Sequence, residues 1–169
     1  MTDVTSDLLH GDVAVGDELP PLAHDVSATT VVLGALASRD WRPMHHDHQF
    51  AVDRQGTKDI FLNTPNQAAW FERFITDWTG PRGRLGTMTF RMHDSIFPND
   101  TMTFRATVSG TSVDDRGCGW VDLDVTLGNG TGLCTSGHAH VALPLDADDN
   151  PWTRRGEDWK PQRSGMDTE

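Results

Sequence analysis

The feature that most constrains the fold is a change in hydrophobic period near residue 80. Before it, residues 64–78 carry apolar side chains at helical spacing, with Pro65 suited to the first turn and Gly80-Pro81 to the end. After it, apolar and polar residues alternate with a period of two, which is typical of half-buried strands. One long helix followed by successive strands predicts an α+β fold in which a sheet packs on a helix.

Four segments show the two-residue period, and loops rich in Gly, Asn and Asp separate the last three, which predicts antiparallel hairpins. The glycine-rich run at residues 128–132 lies between two strands and opens no helix, so it is interpreted as a turn and not as a nucleotide-binding loop. The predicted strands cover residues 87–92, 101–108, 121–127 and 133–143, and the apolar face of the last is predicted to carry Leu133, Ala139, Val141 and Leu143.

Two shorter helices are predicted upstream of the long one. The first covers about residues 28–38, with Ser27 or Thr29 as its cap, and the second begins near Asp47. Thr64 is the candidate cap of the long helix. The loop around residues 40–45 is therefore expected to be held by helices at both ends.

Length and composition predict one globular domain. The chain has 169 residues, of which 36% are hydrophobic and 23% charged, and this suits a single core. We expect a flexible leader over residues 1–14, a domain over residues 15–145, and a polar tail over residues 146–169. Trp152 and Trp159 leave two possibilities open for that tail, which is either poorly ordered or docked on the body or a partner.

The charge balance bears on partners and location. A formal net charge of −11 argues against nucleic acid and against an anionic membrane surface, because both need clustered Lys and Arg. The N-terminus shows no export signal, and no apolar run is long enough to span a membrane. Two cysteines cannot form a disulfide framework. These features predict a cytoplasmic protein.

The densest chemistry lies in residues 39–48. Asp40 and His45 are separated by a segment containing Pro43, which disfavours a continuous helix and lets a tight loop bring the two side chains together. A carboxylate can orient an imidazole, and an imidazole ordinarily titrates near pH 6.5, which suits general acid and base work on water. Residue types alone leave a solvated surface loop open as well, since polar residues between helices are more often a solvated surface than a site.

Metal binding is the alternative chemistry for the same residues. Several histidines lie close together in this loop, and His138 and His140 share one strand face. No Cys-x-x-Cys or His-Glu-x-x-His motif accompanies them, and consecutive histidines usually point in different directions. We therefore expect no metal and no cofactor. The histidines concerned in the loop are His45, His46 and His48.

The stretch Asp40-x-x-Pro43-Met44-His45-x-Asp47 resembles the hydratase motif of the MaoC-like family. Val15-Gly16-Asp17-Glu18-Leu19-Pro20 is similar to the usual opening of such domains, so the resemblance covers residues 15–143. It implies a hotdog fold, in which a curved antiparallel sheet wraps around one central helix. Two departures are visible, since Arg39 stands where the ordinary motif has Gly and Arg42 where it has Asn.

A narrower resemblance is to the smaller MaoC-like subunit of bacterial hydratases that act on steroid side-chain enoyl-CoA thioesters. It is carried by the stretches 37–40, 45–47, 55–63 and 76–81. The resemblance implies an acyl-CoA substrate and a homodimer or a heteromer with a second MaoC-like chain. The resemblance implies that Asp40 and His45 are catalytic. It also implies that the backbone of Phe61, Leu62 and Asn63 binds the substrate by donating N–H groups to the thioester oxygen. In the ordinary family members a His-Gly pair occupies the positions of Phe61 and Leu62.

Two functions remain open at this point. The first is an enoyl-CoA hydratase that adds water across the 2,3 double bond of a bulky, steroid-type 2-enoyl-CoA to give a 3-hydroxyacyl-CoA. The second is a non-catalytic hotdog subunit that completes the acyl pocket of another chain, with Asp40 and His45 in structural roles.

Overall fold

The computed structural model describes residues 8–161. Its centre is one five-stranded antiparallel sheet, which confirms the α+β prediction. The strands follow the spatial order β1-β3-β4-β5-β2, so the first strand after the long helix lies at one edge and pairs with the last. The strands are β1 (Leu22–Asp25), β2 (Arg84–Met92), β3 (Thr101–Val113), β4 (Gly119–Gly128) and β5 (Leu133–Leu143).

The long helix, α3 (Thr64–Thr79), forms where the sequence predicts it, but its cap is Asn63 and not Thr64. The Asn63 side chain accepts a hydrogen bond from the N–H of Asn66 at 3.2 Å, which satisfies a donor that the first turn leaves free. The helix ends at Gly80, whose φ of 72° lies in the left-handed region that favours glycine.

The core lies between α3 and the concave face of the curved sheet. Phe71 and Phe74 are buried and pack on Phe104 of β3 with ring centroids 4.9 Å and 6.0 Å apart. Their burial places the apolar face of the helix in the core. A polar bond joins the same layers, because Thr135 donates from Oγ1 to Oε1 of buried Gln67 at 2.8 Å.

Two short helical segments precede α3. Helix α1 (Ala28–Ala37) begins at Ser27, which accepts from the N–H of Thr30 at 3.0 Å. Helix α2 (His48–Phe50) begins after Asp47 and continues as a π-helical turn, Ala51–Gln55. A 3-10 turn, Pro43–His45, lies between the two helices.

The ends of the described chain contact the body. The N–H of His10 donates to the carbonyl of Pro144 at 2.9 Å, and the ring of Trp159 lies 5.1 Å from that of Trp120. The Arg84 guanidinium lies 3.5 Å from the centroid of Trp159. The domain boundaries at residues 15 and 146 stay a prediction, and residues 1–7 and 162–169 of the leader and tail lie outside the described residues.

Within residues 8–161, no helix combines the length and the apolar character that crossing a bilayer requires.

Candidate active site

Asp40 is fixed directly behind the end of α1. Its N–H donates to the carbonyl of Ala35 at 2.9 Å, and the preceding residue, Arg39, takes a left-handed φ of 54° to make the turn. Ser38 anchors the same turn by donating from Oγ to the carbonyl of Gly34 at 2.7 Å. The carboxylate is thereby held in place by backbone that cannot shift independently of the helix.

His45 lies on the 3-10 turn and is only 2% exposed. Its Nδ1 lies 2.7 Å from the carbonyl oxygen of Phe61, and the Phe61 ring packs edge-on against the imidazole at 4.9 Å. A carbonyl only accepts, so Nδ1 must be the donor. In the neutral imidazole, the lone pair therefore sits on Nε2.

The structure brings the two groups together. Nε2 of His45 lies 3.5 Å from Oδ2 of Asp40. At that separation two acceptors make no direct hydrogen bond, but each lies within reach of one O–H of a shared water molecule. A buried base and a carboxylate facing the same solvent position can together orient and activate water.

Asp40 is held as an anion. Arg42 donates to both carboxylate oxygens, from Nε to Oδ1 at 2.8 Å and from Nη2 to Oδ2 at 2.7 Å. Asn63 adds a donor from Nδ2 to Oδ2 at 3.0 Å. The Arg42 hydrogen bonds, supported by Asn63 and outweighing burial, hold the pKa of Asp40 well below its usual range. The same pair raises the pKa of Arg42.

The three residues from Phe61 to Asn63 have different roles at the site. Phe61 contributes its carbonyl to His45, Asn63 contributes its side chain to Asp40, and Leu62 already donates its N–H to the carbonyl of Ile96 at 2.9 Å. No hydrogen bond from the N–H of Asn63 or Thr64 is present among residues 8–161. These two donors lie at the start of α3, beside the cleft.

A cleft of about 360 Å³ opens beside the pair, with His45 in its lining and Asp40 outside it, and its far wall comes from the end of edge strand β2 and the segment that follows. Sequence reasoning did not identify that wall, because it lies some fifty residues away from Asp40 along the chain. It also missed Ser38 and the fork of Arg42, which are visible only in the fold. The lining residues are Arg42, Met44, His45, Phe61, Leu62, Asn63, Thr64, Gln67, Met92, His93, Asp94 and Ser95.

Three of the other histidines are each paired with a single carboxylate. His48 lies 2.8 Å from Asp59, and across the outer face of the sheet His138 lies 2.8 Å from Asp124. His140 pairs with Asp122 in the same way at 2.7 Å. In the described part of the chain, no three His, Cys, Asp or Glu side chains are grouped so that they could hold a metal ion.

A sheet of this strand order wrapped around one helix, with a carboxylate and an imidazole facing each other beside a cleft at the start of that helix, defines a hotdog-fold hydratase. No protein-family model matches the chain. It is 39% identical over 101 residues to the beta subunit of the 3-oxo-4,17-pregnadiene-20-carboxyl-CoA hydratase of Mycobacterium tuberculosis, a match that covers 60% of this chain and 76% of the relative.

Solved structures agree with this relationship. A chain of the ChsH1-ChsH2 complex from Mycobacterium tuberculosis is 32% identical with a TM-score of 0.70, over 77% of this chain and 98% of that one. The MaoC-like dehydratase from Rhodospirillum rubrum shares the fold at 20% identity and a TM-score of 0.71, over 80% and 96% of the two chains. The chain belongs to the MaoC-like hydratase family and is a hydro-lyase.

Proposed function

We propose that this chain is the catalytic subunit of an enoyl-CoA hydratase, which adds water across the 2,3 double bond of a bulky 2-enoyl-CoA and yields a 3-hydroxyacyl-CoA. One observation carries the proposal. Hydrogen bonding to Phe61 fixes the imidazole of His45, which lines the cleft, so that its lone pair on Nε2 faces Oδ2 of Asp40 across 3.5 Å. Catalysis by Asp40 and His45 accounts for this arrangement.

In the proposed reaction, a water molecule donates one O–H to Nε2 of His45 and the other to Oδ2 of Asp40. As its oxygen bonds to the β-carbon, His45 accepts the first proton and the electron pair of the double bond moves toward the thioester carbonyl. The protonated imidazole then returns that proton to the α-carbon. Atoms and charge balance with water and the thioester alone, so the mechanism calls for no cofactor and no metal.

The thioester oxygen gains negative charge during this step, and oriented N–H donors would stabilise it. The N–H groups of Asn63 and Thr64 suit that need, because they are free of hydrogen bonds within the described chain and lie at the positive end of α3. Leu62, whose N–H is bonded to Ile96, would contribute mainly by shaping the loop. This refines the expectation that residues 61–63 all bind substrate through backbone N–H.

The substrate class is proposed from the relative named above. That protein is described as acting on a steroid carboxyl-CoA thioester. We therefore propose a bulky acyl chain of the steroid side-chain type. An aliphatic enoyl-CoA hydrated with equal efficiency would refute this part of the proposal while leaving the chemistry intact.

A second MaoC-like chain is proposed to complete the site. The cleft ends against strand β2, which lies at an edge of the sheet and would expose unpaired backbone groups in a lone subunit. The solved relative is a complex of two different chains. A heteromer covers this edge and closes the acyl pocket, and a homodimer is the other arrangement of the same kind. A cytoplasmic location stays a prediction.

The non-catalytic alternative has one observation in its favour. Both oxygens of Asp40 already accept hydrogen bonds from Arg42 or Asn63, as those of a structural carboxylate do. The two functions differ in what they require of His45, because only catalysis needs its Nε2.

Replacing the pair tests the proposal. In the assembly that hydrates enoyl-CoA, Asp40→Asn and His45→Gln should each lower kcat by about 10²- to 10⁴-fold, the range for loss of a general acid or base. His48→Gln is the matched control, since it removes an exposed imidazole paired with a carboxylate in the same loop. Full activity in both site variants, with the fold intact by circular dichroism, would establish the non-catalytic role.

A further inference from the structure

A general base placed beside a carboxylate faces an electrostatic difficulty. The negative charge favours the imidazolium form, and an imidazolium has no lone pair with which to accept a proton from water. Nε2 of His45 lies 3.5 Å from Oδ2 of Asp40, and His45 is buried. A cation bound to the carboxylate offsets that charge.

We propose that Arg42 is a positioning residue that neutralises Asp40 and thereby keeps His45 unprotonated and able to accept the proton of water. The inference rests on the proposed function, and it assigns to Arg42 a role in the reaction that the hydratase motif itself does not contain, since Asn stands at this place in the ordinary motif.

The geometry is that of a planar fork. The Nε and Nη2 atoms of Arg42 meet the two carboxylate oxygens at 2.8 Å and 2.7 Å, and the Arg42 N–H adds a longer contact to Oδ1 at 3.3 Å. A paired fork of this kind fixes direction as well as charge. With Asn63 on Oδ2, it turns the carboxylate so that Oδ2 faces His45.

The charged groups around Asp40 leave the neutralisation of its carboxylate to Arg42. Among the residues that the structure describes, it is the one cation bonded to Asp40. The start of α3 contributes neutral groups. The remaining charged or titratable side chains of the packed elements are exposed, apart from half-buried Asp59, the partner of His48: Arg39 on the turn after α1, His46 and Asp47 after the 3-10 turn, His48 on α2, Asp53 and Arg54 on the π-helical turn, and His93 and Asp94 beyond β2.

The lowered pKa of Asp40 agrees with this role, because Arg42 is its largest cause. The carboxyl stays ionised throughout the working range, so it orients water without exchanging protons. All proton transfer then falls to Nε2 of His45, whose counterpart Nδ1 is occupied by Phe61.

The test is the pH dependence of kcat/KM for the full chain in its active assembly. In Arg42→Gln the acid limb should move to higher pH by about one unit, so that activity below the limb falls about tenfold, while the alkaline plateau falls less. Arg42→Lys keeps the positive charge but loses the paired hydrogen bonds to the two carboxylate oxygens. It should therefore return the acid limb most of the way to its wild-type pH without restoring the activity on the alkaline plateau. Arg73→Gln removes an exposed Arg–Asp pair on α3 and should change neither.

Two results would overturn the proposal. An unmoved limb in Arg42→Gln with a raised KM would mean that Arg42 contacts the substrate, and unchanged kinetics would mean that the ion pair is only structural. Titration of the His45 imidazole by nitrogen NMR, in the wild type and in Arg42→Gln, measures the same coupling without turnover. If no assembly hydrates enoyl-CoA, the proposed function fails, yet the NMR titration still decides whether Arg42 controls the protonation of His45.

Discussion

Asn63 joins the carboxylate of the site to the start of the central helix. Its Nδ2 donates to Oδ2 of Asp40 at 3.0 Å and to Oγ of Ser38 at 2.8 Å, while its Oδ1 accepts from the N–H of Asn66. The side chain is 1% exposed. Because one amide makes hydrogen bonds to the end of α1, to the carboxylate and to the first turn of α3, it fixes the positions of these three parts relative to one another.

The first prediction concerns this amide. Asn63→Asp keeps a cap oxygen but replaces the donor to Asp40 with a second buried carboxylate, so like charges would face each other at about 3 Å. We expect the free energy of unfolding to fall by roughly 2–4 kcal/mol and activity to fall at least tenfold. Denaturant unfolding and the hydration assay measure the two effects.

Asn150→Asp is the control for that change, because Asn150 caps a 3-10 turn (Pro151–Thr153) through its side chain. It should cost less than about 1 kcal/mol. Equal effects of the two substitutions would show that Asn63 acts as a helix cap alone.

The second prediction concerns Arg39, whose φ of 54° is unfavourable for a residue with a side chain. Such a conformation costs about 1–2 kcal/mol, and glycine avoids it while losing more backbone freedom on folding. We therefore expect Arg39→Gly to raise the free energy of unfolding by up to about 1 kcal/mol. Arg54→Gly, in a helical segment, should instead lower it by about 1 kcal/mol, and a matching loss in Arg39→Gly would contradict the assignment of strain.

The third prediction concerns stability in acid. Burial alone would raise the pKa of Asp114, but hydrogen bonds from the Trp120 indole and from the N–H groups of Cys118 and Arg116 outweigh it and lower the pKa. A carboxyl with a lowered folded-state pKa stabilises the fold fully above its unfolded pKa, about 3.9, and loses that contribution as pH falls through the folded value.

Asp114→Asn should consequently lower stability at pH 7 and flatten its decline between about pH 5 and pH 2. Thermal unfolding across that range measures both. The neighbouring Asp115 side chain is 81% exposed, so Asp115→Asn serves as the control and should leave the profile close to that of the wild type. An unchanged acid slope in Asp114→Asn would refute the linkage.

The fourth prediction concerns thiol reactivity. Burial raises the pKa of both Cys118 and Cys134 to about 11, so little thiolate forms at pH 8. The folded protein should react with an aromatic disulfide reagent far more slowly than the denatured chain. Ser112→Cys places a thiol at an exposed position and provides the fast reference. Rapid labelling of the wild type would mean that the structure around one of these two cysteines opens readily.

Hydrophobic period predicted the elements well where they are long. The helix predicted over residues 64–78 is Thr64–Thr79, and each of the four predicted strands is present, several with added residues at their ends. Strand β1 was not predicted, since four residues with alternating partial burial carry too little periodic signal. It forms because Leu22–Asp25 can pair with β3.

The register of a strand was harder to predict than its presence. Leu133 was expected on the apolar face of β5 but is 53% exposed, whereas Thr135 is buried and reaches Gln67 of α3. The prediction was wrong because the pairing of β4 with β5 shifts between Leu127 and Gly128. A shift of one residue exchanges the two faces of a strand, and nothing local in the sequence marks it.

The sequence by itself determined the kinds of element, their order along the chain and the loop that carries Asp40 and His45, because periodicity, capping residues and proline act over a few neighbours. Only the tertiary structure decided that β2 pairs with β5, that Phe61 sets the tautomer of His45, and that Arg42 and Asn63 share the carboxylate of Asp40. Some of these contacts join residues that are far apart in the sequence, and others depend on side-chain rotamers that packing selects. Their geometry therefore exists only once the sheet has closed around the helix.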